Sequence, residues 1–152
     1  MSNDIVSQVK AKVTIPYRWS YGGSLSRFFY ETKVNKRFMG ARCTKCGKVI
    51  IPAHRMCSRC FAPTDDNWIE VSDHGVLECF TVVYLPFPGQ PKPPPYAYGM
   101  VRLDGADTLY PHLISEIDFD KITTNMRVQA VWNEDRKGDL YDLKHFKPEE
   151  TA

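Results

Sequence analysis

The fold is decided by the segment Cys43–Cys60, which reads CTKCGKVIIPAHRMCSRC. The segment holds two Cys-x-x-Cys motifs separated by ten residues. Two such motifs that close on each other supply four thiolates at tetrahedral reach, which is the ligand set of a structural zinc ribbon. The sequence therefore predicts a structural Zn²⁺ ion bound by four side chains: Cys43, Cys46, Cys57 and Cys60.

Two other uses of these cysteines compete with zinc. A pair of disulfides would need an oxidising compartment, but the first thirty residues lack the apolar core of a signal peptide. An iron electron carrier similar to rubredoxin also uses the Cys-x-x-Cys-Gly motif, although Phe61 rather than glycine follows the second motif here. A red protein would favour iron, and a colourless protein with stoichiometric zinc would exclude it.

The composition predicts a soluble chain with an uneven charge. The 152 residues are 43% hydrophobic, and no run reaches the roughly 18 apolar residues of a membrane span, so we expect a cytoplasmic protein. Residues 1–63 hold twelve Lys or Arg and two Asp or Glu, a net charge of +10, whereas residues 64–152 carry −8. The basic part either attracts an anionic partner, such as a phosphorylated cofactor, nucleic acid or an acidic protein face, or serves solubility alone.

The chain before the ribbon is predicted to form an arm and a short helix. Residues 1–23 are expected to be an arm with a loosely ordered start, and the aromatic run Ile15–Tyr21 either pads the core or contacts a partner. Ser24 is predicted to cap a helix that ends near Val34. The predicted buried face is Leu25, Phe28 and Phe29, whereas Arg27, Glu31 and Lys33 are predicted to face water.

The predicted fold class is mainly β: a helix and rubredoxin-like zinc ribbon at 24–63, a five-stranded OB-fold barrel at 64–148 and a frayed acidic tail at 149–152. Strands 38–42 and 48–52 flank the first motif, and a brief strand, 68–71, follows the linker 62–67. Five further strands with a short helix between the third and fourth favour the barrel over a small open sandwich. They are predicted at 76–85, 97–103, 108–115, 127–132 and 140–146, with the short helix at 118–123.

The connection between the first two barrel strands is rich in proline. The segment Pro86–Tyr96 contains six prolines in eleven residues, which makes it stiff and similar to polyproline II. A stiff loop loses little entropy when a ligand binds. We predict that this loop is one rim of a binding surface; the alternative is a loop stiffened for stability alone.

The residues outside the ribbon do not predict catalysis. Covalent catalysis by a thiol needs a cysteine nucleophile activated by a base, and Cys79 lies in an apolar strand where an inert buried thiol is predicted. The histidines lack motif context and are predicted to be structural or exposed: His54, His74, His112 and His145. Four thiolates leave no open metal position for an activated water, so hydrolytic zinc chemistry is not expected.

These features resemble a known family, the zinc-ribbon and OB-fold proteins long described as a domain of unknown function. Such proteins accompany thiolases and related acyl-CoA condensing enzymes. The resemblance spans residues 25–148 and departs from the family at Ala53 and Ser58, where prolines are common, which affects turn stiffness but not ligation. Its motifs are Cys43-Thr44-Lys45-Cys46-Gly47, Ile51-Pro52-Ala53-His54-Arg55, Cys57-Ser58-Arg59-Cys60, and Phe80-Thr81-Val82-Val83 entered through Gly75.

The resemblance implies a non-catalytic accessory subunit that docks on a thiolase-fold partner in a hetero-oligomer and helps to hold the coenzyme A part of the substrate. A basic ribbon beside an aromatic rim suits the phosphates and adenine of coenzyme A. The residues predicted to contact coenzyme A or the partner are Lys48, Arg55, Arg59, Phe87, Lys92 and Tyr96. A module for single-stranded nucleic acid is the alternative, although the −8 charge of residues 64–152 opposes it.

Overall fold

The computed structural model describes residues 12–64 and 67–149, which form one α-helix, α1 (Gly22–Asn35), and eight strands. Most of the loose start predicted at residues 1 to about 13, namely residues 1–11, and the end of the predicted tail, residues 150–152, lie outside the described residues. Two 3₁₀ helices, Phe119–Lys121 and Leu140–Asp142, precede the last two strands. The strands are β1 (Phe38–Arg42), β2 (Val49–Ile50), β3 (Trp68–Val71), β4 (His74–Val83), β5 (Tyr96–Leu103), β6 (Tyr110–Ile114), β7 (Arg127–Trp132) and β8 (Leu143–Pro148).

The strands form a small antiparallel sheet and a closed barrel. The small sheet has the order β2-β1-β3 and carries the cysteine motifs. The barrel has the order β4-β5-β6-β8-β7, in which only the β6–β8 pair is parallel. The predicted mainly-β class with a five-stranded OB barrel is confirmed. Strand β3 pairs with β1, although the predicted boundary after residue 63 groups it with the barrel; the division at residues 23, 63 and 148 stays a prediction.

The boundaries predicted for β1, β3 and β7 agree with the structure, whereas the predicted last strand does not begin at residue 140. Leu140–Asp142 is a 3₁₀ helix because the Asp139 side chain accepts a hydrogen bond from the Tyr141 amide at 2.8 Å. This carboxylate cap turns the chain before β8 begins. The result is an additional wall beside the barrel, where the sequence predicted only a strand.

The predicted burial of Cys79 is wrong, because β4 contains a β-bulge. The register with β5 shifts between Leu77 and Cys79, so Glu78 is the extra residue. Inward positions are odd-numbered before the bulge, as at Leu77, and even-numbered after it, as at Phe80. A bulge moves the following side chains to the opposite face. Cys79 is consequently exposed.

Helix α1 buries the predicted face but starts earlier and holds one charge inside. Its first residue is Gly22, and the cap residue Tyr21 makes no side-chain capping bond, so the predicted cap at Ser24 is wrong. Phe28 and Phe29 are buried, as predicted. The prediction that Glu31 faces water is wrong: its carboxylate is buried and accepts hydrogen bonds from Arg37 (2.8 Å) and Asn35 (2.6 Å). These bonds hold the pKa of Glu31 below its usual range.

The aromatic run before α1 does not pad the core. Tyr17 and Trp19 are 79% and 67% exposed. Trp19 contacts Tyr21, with ring centroids 4.8 Å apart, and Tyr21 in turn lies 5.0 Å from the ring of Phe29. Tyr17 and Trp19 are therefore not core residues, and the alternative that the arm contacts a partner stays a prediction.

One hydrophobic core joins the helix, the small sheet and the barrel. Phe38 of β1 lies 6.2 Å from Phe28 of α1, 5.4 Å from Tyr110 of β6 and 4.8 Å from Trp132 of β7, measured between ring centroids. The helix therefore packs on the ribbon, as predicted, and on the barrel as well. Aromatic pairs at such distances add to the free energy of burial.

Two polar side chains join the ribbon edge to the barrel. The Asp107 carboxylate accepts a hydrogen bond from the Val49 amide at 2.8 Å. The Thr108 hydroxyl accepts from the Ile51 amide at 2.7 Å and donates to the Ile51 carbonyl at 2.9 Å. Both side chains lie between β5 and β6, so this barrel connection satisfies the open edge of β2.

The chain end is held in place as far as Glu149. Its carboxylate accepts a hydrogen bond from Arg127 at 2.8 Å and lies 2.9 Å from the His74 ring. Arg127 also pairs with Asp104 at 2.7 Å. The prediction of a frayed tail is therefore wrong for Glu149, because a network of opposite charges fixes it to the barrel.

Candidate functional site

The four ribbon cysteines converge on one point. Their sulfur atoms all lie within 4.8 Å of one another, and the sulfurs of Cys46 and Cys57 are 3.8 Å apart. A tetrahedral zinc ion with Zn–S bonds of about 2.3 Å requires sulfur–sulfur distances of about 3.8 Å. The donor set fits a structural zinc ion, and the four predicted ligands are brought together.

The electrostatics of this cluster also favour a bound cation. The amides of Cys46 and Lys45 donate to the Cys43 sulfur, both at 3.4 Å, and lower the pKa of Cys43 to about 7. The hydrogen bond with Cys46, together with burial, raises the pKa of Cys60 to about 12. Cys43 therefore forms a thiolate readily, whereas Cys60 needs a positive charge nearby to do so. A divalent ion supplies that charge, and four sulfurs then fill its coordination sphere.

The two cysteine motifs have the same backbone geometry, although only one contains glycine. The Gly47 amide donates to the Cys43 carbonyl at 3.0 Å, and the Phe61 amide donates to the Cys57 carbonyl at 2.8 Å. Gly47 has a φ of 73° and Phe61 a φ of 53°, both in the left-handed region. Phe61 thus occupies a position that favours glycine, and its side chain is 76% exposed. A strained conformation of this kind is often retained at functional sites.

We predict opposite effects for the two left-handed positions. Gly47→Ala should lower the free energy of unfolding by about 1 kcal/mol, because a Cβ at Gly47 meets no atom within 4 Å and the cost is the backbone strain alone. Phe61→Gly should raise it by up to about 1 kcal/mol, because relief of strain exceeds the added chain entropy. Urea unfolding of the zinc-loaded proteins measures both values. A loss of stability in Phe61→Gly would show that the phenyl ring packs against the fold.

A second feature is an apolar pocket of about 370 Å³ on the outside of the barrel. Thr81, Tyr98 and Leu113 are paired across β4, β5 and β6 and form its floor. The proline-rich loop forms one wall and the 3₁₀ helix Leu140–Asp142 the other. The lining residues are Thr81, Val83, Phe87, Pro91, Tyr96, Tyr98, Pro111, His112, Leu113, Leu140 and Tyr141.

Polar side chains fix both walls of this pocket. Gln90 accepts from the Phe87 amide at 3.0 Å and donates to the Leu85 carbonyl at 3.0 Å, which closes the proline-rich loop on itself. Buried Asp142 accepts from the amides of Lys137 (2.6 Å) and Gly138 (3.0 Å), which closes the loop before β8. Both walls are therefore preformed.

His112 joins the floor to the second wall. Its Nε2 lies 3.1 Å from the Leu140 carbonyl oxygen, which can only accept, so Nε2 carries the proton. Its Nδ1 is buried and has no hydrogen-bond partner in residues 12–64 and 67–149. Burial lowers the pKa of His112, which favours the neutral ring. This histidine links the floor of the pocket to the 3₁₀ helix of the second wall.

The six predicted contact residues do not all line the same pocket. Phe87 and Tyr96 line the barrel pocket, whereas Lys92 lies exposed on the same loop outside the lining. Lys48, Arg55 and Arg59 belong to the ribbon, away from that lining. The role of all six residues as contacts for coenzyme A or the partner stays a prediction.

Arg55 instead shares a shallow depression with residues that the sequence did not predict as contacts. A depression of about 390 Å³ is lined by Gly23, Ser24, Arg27, Arg55 and Trp68. The Arg27 guanidinium lies 4.5 Å above the Trp68 ring. Arg27 and Arg55 line the same depression because of the way α1 crosses the ribbon, and no periodicity in the sequence predicts that crossing. In the barrel pocket, the alternation along β5 could have identified Tyr98 as an outward-facing residue. Leu140 and Tyr141 could not be identified in this way, because the sequence predicts a strand at 140–146.

In the part of the chain that the structure describes, no helix has the length and apolar character that crossing a membrane requires.

Comparison with known proteins gives matches over both parts of the chain. Residues 35–66 match the rubredoxin-like zinc ribbon domain of ChsH2, and residues 68–133 match the C-terminal OB-fold domain of ChsH2. A DUF35 domain-containing scaffold protein of Methanocaldococcus jannaschii is 26% identical over 118 residues, which cover 74% of this chain and 82% of that protein.

Two solved structures share the fold. One is named Ltp2-ChsH2(DUF35) aldolase; it has a TM-score of 0.65 and 23% identity, and the match covers 86% of this chain and 98% of that chain. The other is a DUF35-family protein of unknown function from Sulfolobus solfataricus, with a TM-score of 0.64 and 19% identity over 84% of this chain and 87% of that chain. At these identities the likeness is one of fold.

Proposed function

We propose that this chain, which belongs to the zinc-ribbon and OB-fold family described by the two ChsH2 domain models, is a non-catalytic accessory subunit of a thiolase-type acyl-CoA enzyme complex. It docks on a thiolase-fold partner and helps to bind the coenzyme A part of the substrate. The names of two relatives support a partnered role: one is called a scaffold protein, and the other name joins Ltp2 and ChsH2 in an aldolase.

The observation that carries the proposal is the saturated tetrathiolate cluster. Its four sulfurs match the tetrahedral requirement and leave the metal no position for a substrate or water. The histidines of the barrel serve structural bonds: His74 pairs with Glu149, His145 lies 2.6 Å from Glu116, and His112 bonds a backbone carbonyl. The proposal accordingly assigns the reacting groups to the partner.

The exposed side of the second cysteine motif suits docking. Phe61 and Met56 are 76% and 49% exposed, and exposed Arg55 and Arg59 lie in the same segment. Aromatic, methionine and arginine side chains are enriched at protein interfaces. The proposed partner surface is an apolar depression rimmed by carboxylates, which complements this segment in shape and charge.

Coenzyme A would approach from the basic side. The Arg27–Arg55 depression offers two guanidinium groups beside an indole ring, a combination that suits phosphates and a purine. Lys48, Arg59 and Lys92 are proposed as further contacts for the phosphates or the partner. The single-strand nucleic-acid alternative needs basic side chains beside stacking aromatics, and the lining of the barrel pocket contains no lysine or arginine.

The test is capture of a partner by the tagged, zinc-loaded chain from its own cells, followed by identification by mass spectrometry. We expect a thiolase-fold protein, and we expect acyl-CoA turnover only from the complex. Phe61→Gly should fold normally and capture at least ten-fold less partner, because it removes an exposed anchor. Leu85→Ala, which removes another exposed apolar side chain (78%), is the matched control. Turnover by the chain alone, or equal capture by both variants, would refute the proposal.

A further inference from the structure

The apolar pocket on the barrel is lined by uncharged residues. Besides its tyrosines, the lining has one ionisable side chain, His112, which is buried and has a lowered pKa. A phosphate or carboxylate placed there would lose its hydration without gaining a cation. The occupant that this lining favours is therefore neutral.

The shape of the lining is rigid and flat. Phe87, Tyr96, Tyr98 and Tyr141 present aromatic rings, and Pro91 and Pro111 present proline rings. Desolvation by neighbouring groups raises the pKa of Tyr98, which keeps its hydroxyl protonated. Flat rigid side chains contact the faces of a ring more completely than they contact a flexible chain, and aromatic contacts add about 0.5–1.5 kcal/mol beyond area burial.

The pocket lies where OB barrels place their ligands. Its floor is the outer face of the first three barrel strands, β4, β5 and β6, and its walls are the connections between the first and second and between the fourth and fifth strands. This face and these loops form the ligand site of many OB folds. The hydrogen bonds of Gln90 and Asp142 hold both walls in place, so ligand binding loses little entropy in ordering them.

We propose that this pocket is a binding site for a neutral, ring-bearing apolar group. Its volume of about 370 Å³ lies within the range of about 300–1,000 Å³ typical of small-molecule sites. All of the lining residues named belong to this chain. If the accessory role holds, the group is the ring-bearing acyl part of the thioester, and that last assignment rests on the proposed function.

The test uses the full zinc-loaded chain and the neutral probe 6-propionyl-2-dimethylaminonaphthalene, whose fluorescence shifts to the blue in apolar surroundings. We expect saturable binding with a Kd on the order of 0.1 mM, the affinity of a small probe in a preformed apolar site. Thr81→Trp, which fills the pocket from an exposed position on its floor, should abolish the shift. Tyr98→Ala should weaken binding at least ten-fold.

Tyr84→Ala is the matched control, because Tyr84 is 66% exposed and lies beyond the end of β4 outside the lining. Circular dichroism confirms that each variant is folded. Unchanged binding in both Thr81→Trp and Tyr98→Ala would overturn the proposal. So would displacement of the probe by adenosine monophosphate or by an oligothymidylate, since either would show a nucleotide site. Failure to find a partner leaves this result untouched, so the two proposals fail separately.

Discussion

Replacement of Cys43 or Cys60 by serine should release the zinc ion and unfold the ribbon. Structural zinc contributes about 10–16 kcal/mol to the folding of small zinc domains, which is comparable with the whole stability of about 5–15 kcal/mol of an ordinary domain. Cys43 is almost fully buried and receives hydrogen bonds from two backbone amides, so its sulfur is a fixed interior ligand. A serine there removes that ligand and leaves the other three cysteines without their ion. Metal analysis and thermal unfolding measure the two effects.

Cys79→Ser is the matched control. Cys79 is the fifth cysteine, lies exposed on β4 and is outside the sulfur cluster, so its loss should leave the zinc content and the melting temperature unchanged. A zinc-free Cys60→Ser protein that remained fully folded would contradict the structural role. The same samples decide the metal, because a rubredoxin-like iron centre would make the wild-type protein red and the zinc protein is colourless.

Unfolding of the ribbon should also destabilise the barrel. Phe38 packs on both parts, and the edge of β2 is bound to Asp107 and Thr108 of the barrel. Loss of zinc therefore removes neighbours from the shared core rather than from an isolated module. We expect one cooperative transition at a lower temperature. Two separate transitions, with the barrel melting as in the wild type, would show that the ribbon is energetically independent.

The metal site could be predicted because its determinants are local in sequence. Two Cys-x-x-Cys motifs specify four ligands whatever the rest of the chain does, and the sulfurs of Cys43–Cys60 converge as the spacing requires. The bounds of β7 were equally predictable: the strand predicted at 127–132 is observed at Arg127–Trp132, and its alternate residues Val128 and Ala130 are buried. In both cases the residues that determine the structure lie within one short segment of the sequence.

The errors arise where a distant contact or an irregular backbone decides. One extra residue, Glu78, reverses the faces of β4 and exposes Cys79. Glu31 is buried because Arg37, from beyond the end of the helix, reaches its carboxylate. The wall at Leu140 and Tyr141 depends on an aspartate cap and on a histidine 28 residues earlier in the chain. A single sequence does not encode these pairings in any visible period.

Asp142→Ala should be the most damaging substitution in the barrel loops, with a loss of about 3 kcal/mol in the free energy of unfolding. The carboxylate is 1% exposed and accepts from the amides of Lys137 and Gly138 and from the hydroxyl of Thr32 at 3.2 Å. Its removal leaves buried donors without an acceptor, and each such group costs about 1–3 kcal/mol. Urea unfolding at pH 7 measures the loss.

Thr32→Val separates the helix contact from the loop contacts. Thr32 lies on α1 and donates only one of the bonds that Asp142 accepts, so this variant should lose about 1 kcal/mol and keep the loop closed. Asp142→Ala should also weaken binding of the naphthalene probe. Leu140 and Tyr141 form one wall of the pocket, and the Asp142 carboxylate holds that wall in place. Thr32→Val should bind the probe normally. Equal losses of stability in the two variants would show that Asp142 acts through the helix and not through the loop.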